Sequence, residues 1–155
     1  MGSLLDTING LPIHALVVHA VVVLVPLAAL GAILVVVIRS FSRRYASLVV
    51  VISGIAFVSS LLAKESGEQL AKHLGTPTDH AAVGQVMPIV ALVLFVLVTV
   101  FWLVDRGIPM NRHRPLWLTL LGLAVVVAAL WSIWWTFRVG HSGAEAVWNP
   151  LMSKS

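Results

Sequence analysis

Residues 81–104 read AAVGQVMPIVALVLFVLVTVFWLV, a run without a single charged side chain. A helix needs about 20 apolar residues to cross the roughly 30 Å of hydrocarbon in a bilayer, so this stretch is long enough to span one. Residues 12–38, 46–63 and 116–137 repeat the pattern, and none of the three carries an Asp, Glu, Lys or Arg. The alternative to a helix is a barrel strand, which would alternate apolar and polar residues over about ten positions. These runs are apolar throughout, and without water in the bilayer core each backbone group must bond within its own segment, as a helix allows. With 59% hydrophobic and 10% charged residues and a mean hydropathy of +1.01, the chain cannot be an ordinary soluble domain. The expected fold class is all-α, an integral membrane up-and-down four-helix bundle formed as a single domain with short loops.

Short loops rich in Lys and Arg stay cytoplasmic. Arg39, Arg43 and Arg44 follow the first span, and Arg106, Arg112 and Arg114 follow the third, with Asp105 the one acid among them. Asp6, Glu65, Glu68, Asp79 and Glu145 fall on the opposite side, so both termini are expected outside the cytoplasmic membrane. The segment before the first span lacks a basic leader region and carries Asp6, so the first helix is expected to be retained. Tyr45, Trp102 and Trp117 mark the inner ends, and Trp131, Trp134, Trp135 and Trp148 lie toward or beyond the outer end, as aromatic belts require. The pI near 10.4 reflects these two loops and implies no nucleic acid. The chain has no cysteine, which rules out thiolate metal sites and c-type haem attachment and leaves imidazole ligation open.

Past residue 63 the spacing stays helical over 64–74, with Glu68 and Lys72 at i and i+4 and Gly75 placed to end the turn. Thr76 and Pro77 read as the start of the third helix, and Asn9 or Gly10 before Pro12 as the start of the first. Gly31, Gly54 and Gly122 sit seven to nine residues from the inner ends of their helices. Small residues there predict plain close packing of helices, and, where the three meet, a tight inner half with an outer half free to open around something larger. Gly84, one turn below His80, removes a side chain where a flat ligand would need room.

Five of the six histidines, His14, His19, His73, His80 and His141, fall on the outer side, while His113 belongs to an arginine-rich loop. His14, His80 and His141 share a level near the interface, and His19 lies about 7 to 8 Å deeper. An ionisable group inside a span is a functional candidate, and the bland alternative is an imidazole bonded to a neighbouring helix's serine or carbonyl. His14 and His19 are separated by about 140° around the helix, so one face cannot chelate an ion with both. A zinc site of the i, i+4 kind is therefore disfavoured, and any shared metal site must recruit other helices or Glu65 and Glu68. A b-type haem asks instead for single imidazoles on facing apolar helices. His14 or His19 opposite His80 is the expected pairing, with His141 as a further ligand on a flexible helix end.

The segments INGLPIHALVVHA (8–20), SGEQLAKHLG (66–75), TDHAAVG (78–84) and VGHSGAEAVW (139–148) resemble the bacterial four-helix membrane proteins grouped as domain of unknown function family 2231. The resemblance covers nearly the whole chain. It rests on the His14 and His19 pair, the His80 to Gly84 spacing and the glycine-rich close from Gly140 to Trp148. Relatives carry proline after each of the first two histidines, where this chain has Ala15 and Ala20, and they vary at the position of His141. Some relatives are fused to Rieske or cytochrome-type domains, which implies an electron-transfer setting by analogy.

Two functional readings stand. One is a membrane b-type haem protein that passes electrons to redox partners near its outer face, with His14, His19, His80, His141 and Gly84 forming the cofactor site. The other is a structural or interaction subunit, open to homo-oligomerisation, that holds a divalent metal through His14, His80, His141, Glu65 and Glu68 or holds none. Transport is weaker, because only Pro26 and Pro88 interrupt the spans and no paired charges lie at mid-membrane. No catalytic constellation is legible.

Overall fold

The computed structural model describes residues 7–8, 11–74 and 78–152, with side chains at 14, 16–69 and 81–145. Four helices follow one another: α1 (Ile13–Val37), α2 (Arg39–Leu74), α3 (Thr78–Asp105) and α4 (Leu116–Met152). Each contains a stretch long and apolar enough to cross a membrane. α1 packs on α2 and α4, and α3 packs on the same two, so α1 and α3 face each other only across the diagonal. This is the antiparallel bundle expected from four spans joined by short connections.

The helix lengths are unequal. At 1.5 Å per residue, the 25 residues of α1 cover roughly 38 Å, and the 36 of α2 and 37 of α4 roughly 55 Å. At the histidine-bearing end both long helices run past the short ones: His14, second in α1, sits against Ala63 and Gly67 while α2 continues to Leu74, and Trp135 reaches Val83, sixth in α3, while α4 continues to Met152.

Two boundaries differ from the sequence reading. Arg39, Arg43, Arg44 and Tyr45 do not form a loop; they are the first turns of α2, and only Ile38 separates α1 from it. Arg39 and Arg43 find carbonyl acceptors on the α3–α4 connection, so the helix begins nearly two turns earlier. Ahead of α1, Thr7–Ile8 pairs antiparallel with Leu11–Pro12, and α1 starts at Ile13. The capping role expected of Asn9 or Gly10 lies outside the described residues. The Thr76 and Pro77 start expected for α3 lies outside the described residues.

The core is made of small residues on α1 and α4, among them Ala28, Ala29, Ala32, Ala128 and Ala129, against larger ones on α3 such as Leu94, Val98 and Phe101. The three glycines do not converge. A Cβ at Gly31 would lie 2.9 Å from Val49 Cγ2, one at Gly54 3.3 Å from Phe95, and one at Gly122 2.9 Å from Val36 Cγ1 and 3.2 Å from Phe101. Each admits a bulky side chain of an adjacent helix, which is how small residues bring membrane helices together. The other half of the bundle is not left open: Val21, Val25, Ala56, Met87 and Ala91 form a second buried cluster, with Trp135 and Val139 packed on it.

The buried hydroxyls other than Ser42 are satisfied within their own helices. Ser53, Ser60 and Ser132 donate to Val50, Phe57 and Ala128 carbonyls at 2.8, 2.7 and 2.7 Å. In a medium without water such back-bonding removes the cost of an unpaired polar group.

Candidate functional site

The second core cluster stops at Val21, Met87 and Val139, and the histidine-bearing end stands above it. His14 lies two turns above Val21 on α1, and Gly84 one turn above Met87 on α3. A Cβ at Gly84 would meet nothing within 4 Å, so the glycine opens space rather than admitting a neighbour.

His14 is the best-defined group there. Its Nδ1 lies 3.1 Å from the Ala63 carbonyl and 3.1 Å from Ser66 Oγ, both on α2. Ser66 Oγ itself donates to the Ala63 carbonyl at 3.1 Å. With the hydroxyl hydrogen directed at that carbonyl, Nδ1 faces two acceptors, and the tautomer protonated at Nδ1 satisfies both. The ring lone pair then resides on Nε2. Gly67 completes the seat, since a Cβ there would stand 2.9 Å from His14 Cε1. Ser66 and Gly67 are site residues that the sequence reading did not single out. The Ser-Gly step, in a helix otherwise rich in good helix formers, was the available signal.

The other candidates with described side chains point elsewhere. His19 is exposed on the outer surface of α1, on the stripe that also carries Leu16, Val23 and Leu27, rather than buried as its depth suggested. Its offset of about 140° from a ring already facing α2 turns it away from that contact. His141 does not lie on a frayed end: α4 continues unbroken to Met152. Its ring, 64% exposed, stacks on Phe137 at 6.1 Å, and Nε2 lies 3.4 Å from Glu145 one turn on. Glu65 is exposed, and Glu68 pairs with Lys64 at 3.9 Å. The side chains of His80, His73 and Lys72 lie outside the described residues; the backbone places His80 third in α3. Among the described residues no group of three or more His, Asp or Glu comes together as a metal site.

An aromatic wall closes one side. Trp131, Trp134 and Trp135 meet edge to face, with Trp135 6.1 and 5.6 Å from the other two. Arg138 lies over Trp134 at 5.2 Å and Trp135 at 5.6 Å. Trp135 Nε1 donates to the Val83 carbonyl at 3.1 Å, which ties α4 to α3 directly beside Gly84.

The opposite end holds the polar centre that sequence reasoning missed. Asp105, fully buried, accepts from Arg114 Nε at 2.8 Å, Arg114 Nη2 at 3.0 Å and Ser42 Oγ at 2.7 Å. Arg114 also donates to the Val36 carbonyl and lies 5.0 Å over the Phe101 ring. One acid among six arginines was the visible hint. All four helices, or the chain next to them, meet at this pair.

A model of the family described as predicted membrane proteins, DUF2231, matches residues 10–152, which include all four helices and the His14 seat. The chain belongs to the DUF2231 family. No curated protein and no solved structure matches it. The family assignment thus establishes a membrane protein, and the chemistry of this DUF2231 chain has to be argued from its own side chains.

Proposed function

We propose that this DUF2231 protein is a b-type haem-binding subunit of the cytoplasmic membrane, with its histidine-bearing end and both termini outside, acting in electron transfer. The observation that carries the reading is the His14 seat. An imidazole whose Nδ1–H is held by a backbone carbonyl and a serine has its orientation and tautomer set, which is the arrangement that ligating histidines use. The surroundings fit a flat apolar group: Gly84 adds no side chain, the Val21 and Met87 cluster forms a floor, and Trp135 stands beside the opening. His80 on α3, across the diagonal from α1, is the second ligand of this reading. Bound haem would supply one-electron transfer.

A second reading has an observation of its own. The same two bonds make His14 a staple between α1 and α2, as a structural subunit would use it, and a divalent metal at Nε2 with His80 would belong to that subunit.

Absorption spectra of the detergent-purified protein, oxidised and dithionite-reduced, decide between them, with metal content measured on the same sample. A Soret band with reduced α and β bands, lost in His14→Ala and weakened in Ser66→Ala, is the expected result. A colourless protein after expression with ample haem overturns the haem reading; bound zinc, copper or iron in that sample supports the metal-holding subunit.

A further inference from the structure

The six arginines at one end of the bundle divide by what they touch. Arg39 donates to the carbonyls of Pro109 (2.9 Å) and Arg112, Arg43 to those of Arg106 (2.7 Å) and Ile108, and Arg114 to Asp105 and Val36. These three hold the protein together. Arg44, Arg106 and Arg112 are exposed and have no acidic partner among the described residues, because the one acid at this end, Asp105, is buried under Arg114.

Two of those three share a distinctive setting. The Arg44 guanidinium lies 5.4 Å over the Tyr45 ring, and that of Arg106 5.3 Å over the Trp102 ring. Stacking restrains a planar guanidinium and leaves its N–H edge pointing beyond the ring. The rings mark the inner ends of the apolar spans, Tyr45 just before the second and Trp102 in the last turn of the third, at the depth of the headgroups. The Arg43 bond to the Arg106 carbonyl draws the start of α2 and the end of α3 into one patch.

We propose that Arg44 and Arg106, backed by Tyr45 and Trp102, form a site at the α2–α3 seam for the phosphodiester of an anionic phospholipid. A restrained guanidinium fork matches the geometry of phosphate oxygens, and two forks on one patch make the recognition more than a matter of charge. Topology alone accounts for the number of arginines on this side, but not for two of them being laid on aromatic rings while Arg112 is not.

The test uses the full chain in detergent with equal amounts of phosphatidylglycerol and phosphatidylcholine, retained lipid being counted by native mass spectrometry. The wild type is expected to retain phosphatidylglycerol preferentially. At about fivefold for each arginine in direct contact with the phosphate, Arg44→Gln with Arg106→Gln should lower the preference about twenty-five-fold. Arg44→Lys with Arg106→Lys, which keeps the charge and loses the fork, should fall between, and Arg112→Gln should leave the preference near wild type. A wild type without preference, or an Arg112→Gln variant as impaired as the double variant, overturns the site. Displacement of phosphatidylglycerol by excess inorganic phosphate would make it a general anion site and overturn the lipid assignment. Thermal melts matching the wild type separate lost binding from lost folding; if the double variant melts early, the Lys pair carries the comparison.

Discussion

Replacing Asp105 with Ala removes the acceptor of two charge-assisted hydrogen bonds from Arg114 and one from Ser42. Breaking a buried ion pair by deleting one partner costs about 3 to 5 kcal/mol, because the remaining charge stays desolvated. Arg114 is 16% exposed and keeps its bond to the Val36 carbonyl, so part of that cost is recovered and the lower half of the range, about 3 to 4 kcal/mol, applies. Arg114→Met leaves the carboxylate, with 1% side-chain exposure, holding only Ser42, and should cost at least as much. The double variant removes both charges and should be less destabilised than the sum by about 2 to 3 kcal/mol. Reversible unfolding in mixed detergent and SDS micelles supplies the four free energies of the cycle. If the two substitutions add within about 0.5 kcal/mol, the pair is not coupled and the reasoning fails. The contrast is Lys64–Glu68, where both side chains are well exposed and Glu68→Gln should change stability by no more than about 0.5 kcal/mol.

The glycines differ in what substitution would do. Gly122→Ala drives a methyl to 2.9 Å from Val36 Cγ1 and should cost about 1 to 3 kcal/mol, whereas Gly84→Ala enters open space in a helix and should gain about 0.5 to 1 kcal/mol in the same unfolding assay. Gly67→Ala should push the His14 ring off Ala63 and Ser66, seen as loss of the protonated Nδ1 signal in nitrogen NMR of the imidazole; an unchanged spectrum would refute the seat. Trp135→Phe removes the indole donor to the Val83 carbonyl, which keeps its own helical bond, and should cost about 1 kcal/mol for the lost interhelical tie; a variant as stable as the wild type would show that bond to be idle.

The number of helices, their antiparallel order and the membrane as their solvent were legible in the sequence, since each depends on local length and apolarity alone: a charge-free run such as 81–104 has no other stable state in lipid. The helical continuation over 64–74 was legible for the same reason, from spacing along one segment. Partnership was not. His14, His19 and His141 were all candidate ligands on one side, yet rotation of α1 sends His14 onto Ala63 and Ser66 and His19 to the outer surface, while His141 meets Glu145 one turn along its own helix. The pairing of Asp105 with Arg114 and Ser42 joins residues up to 63 positions apart. Such contacts are set by how rigid helices rotate and approach one another, which only the packed bundle decides.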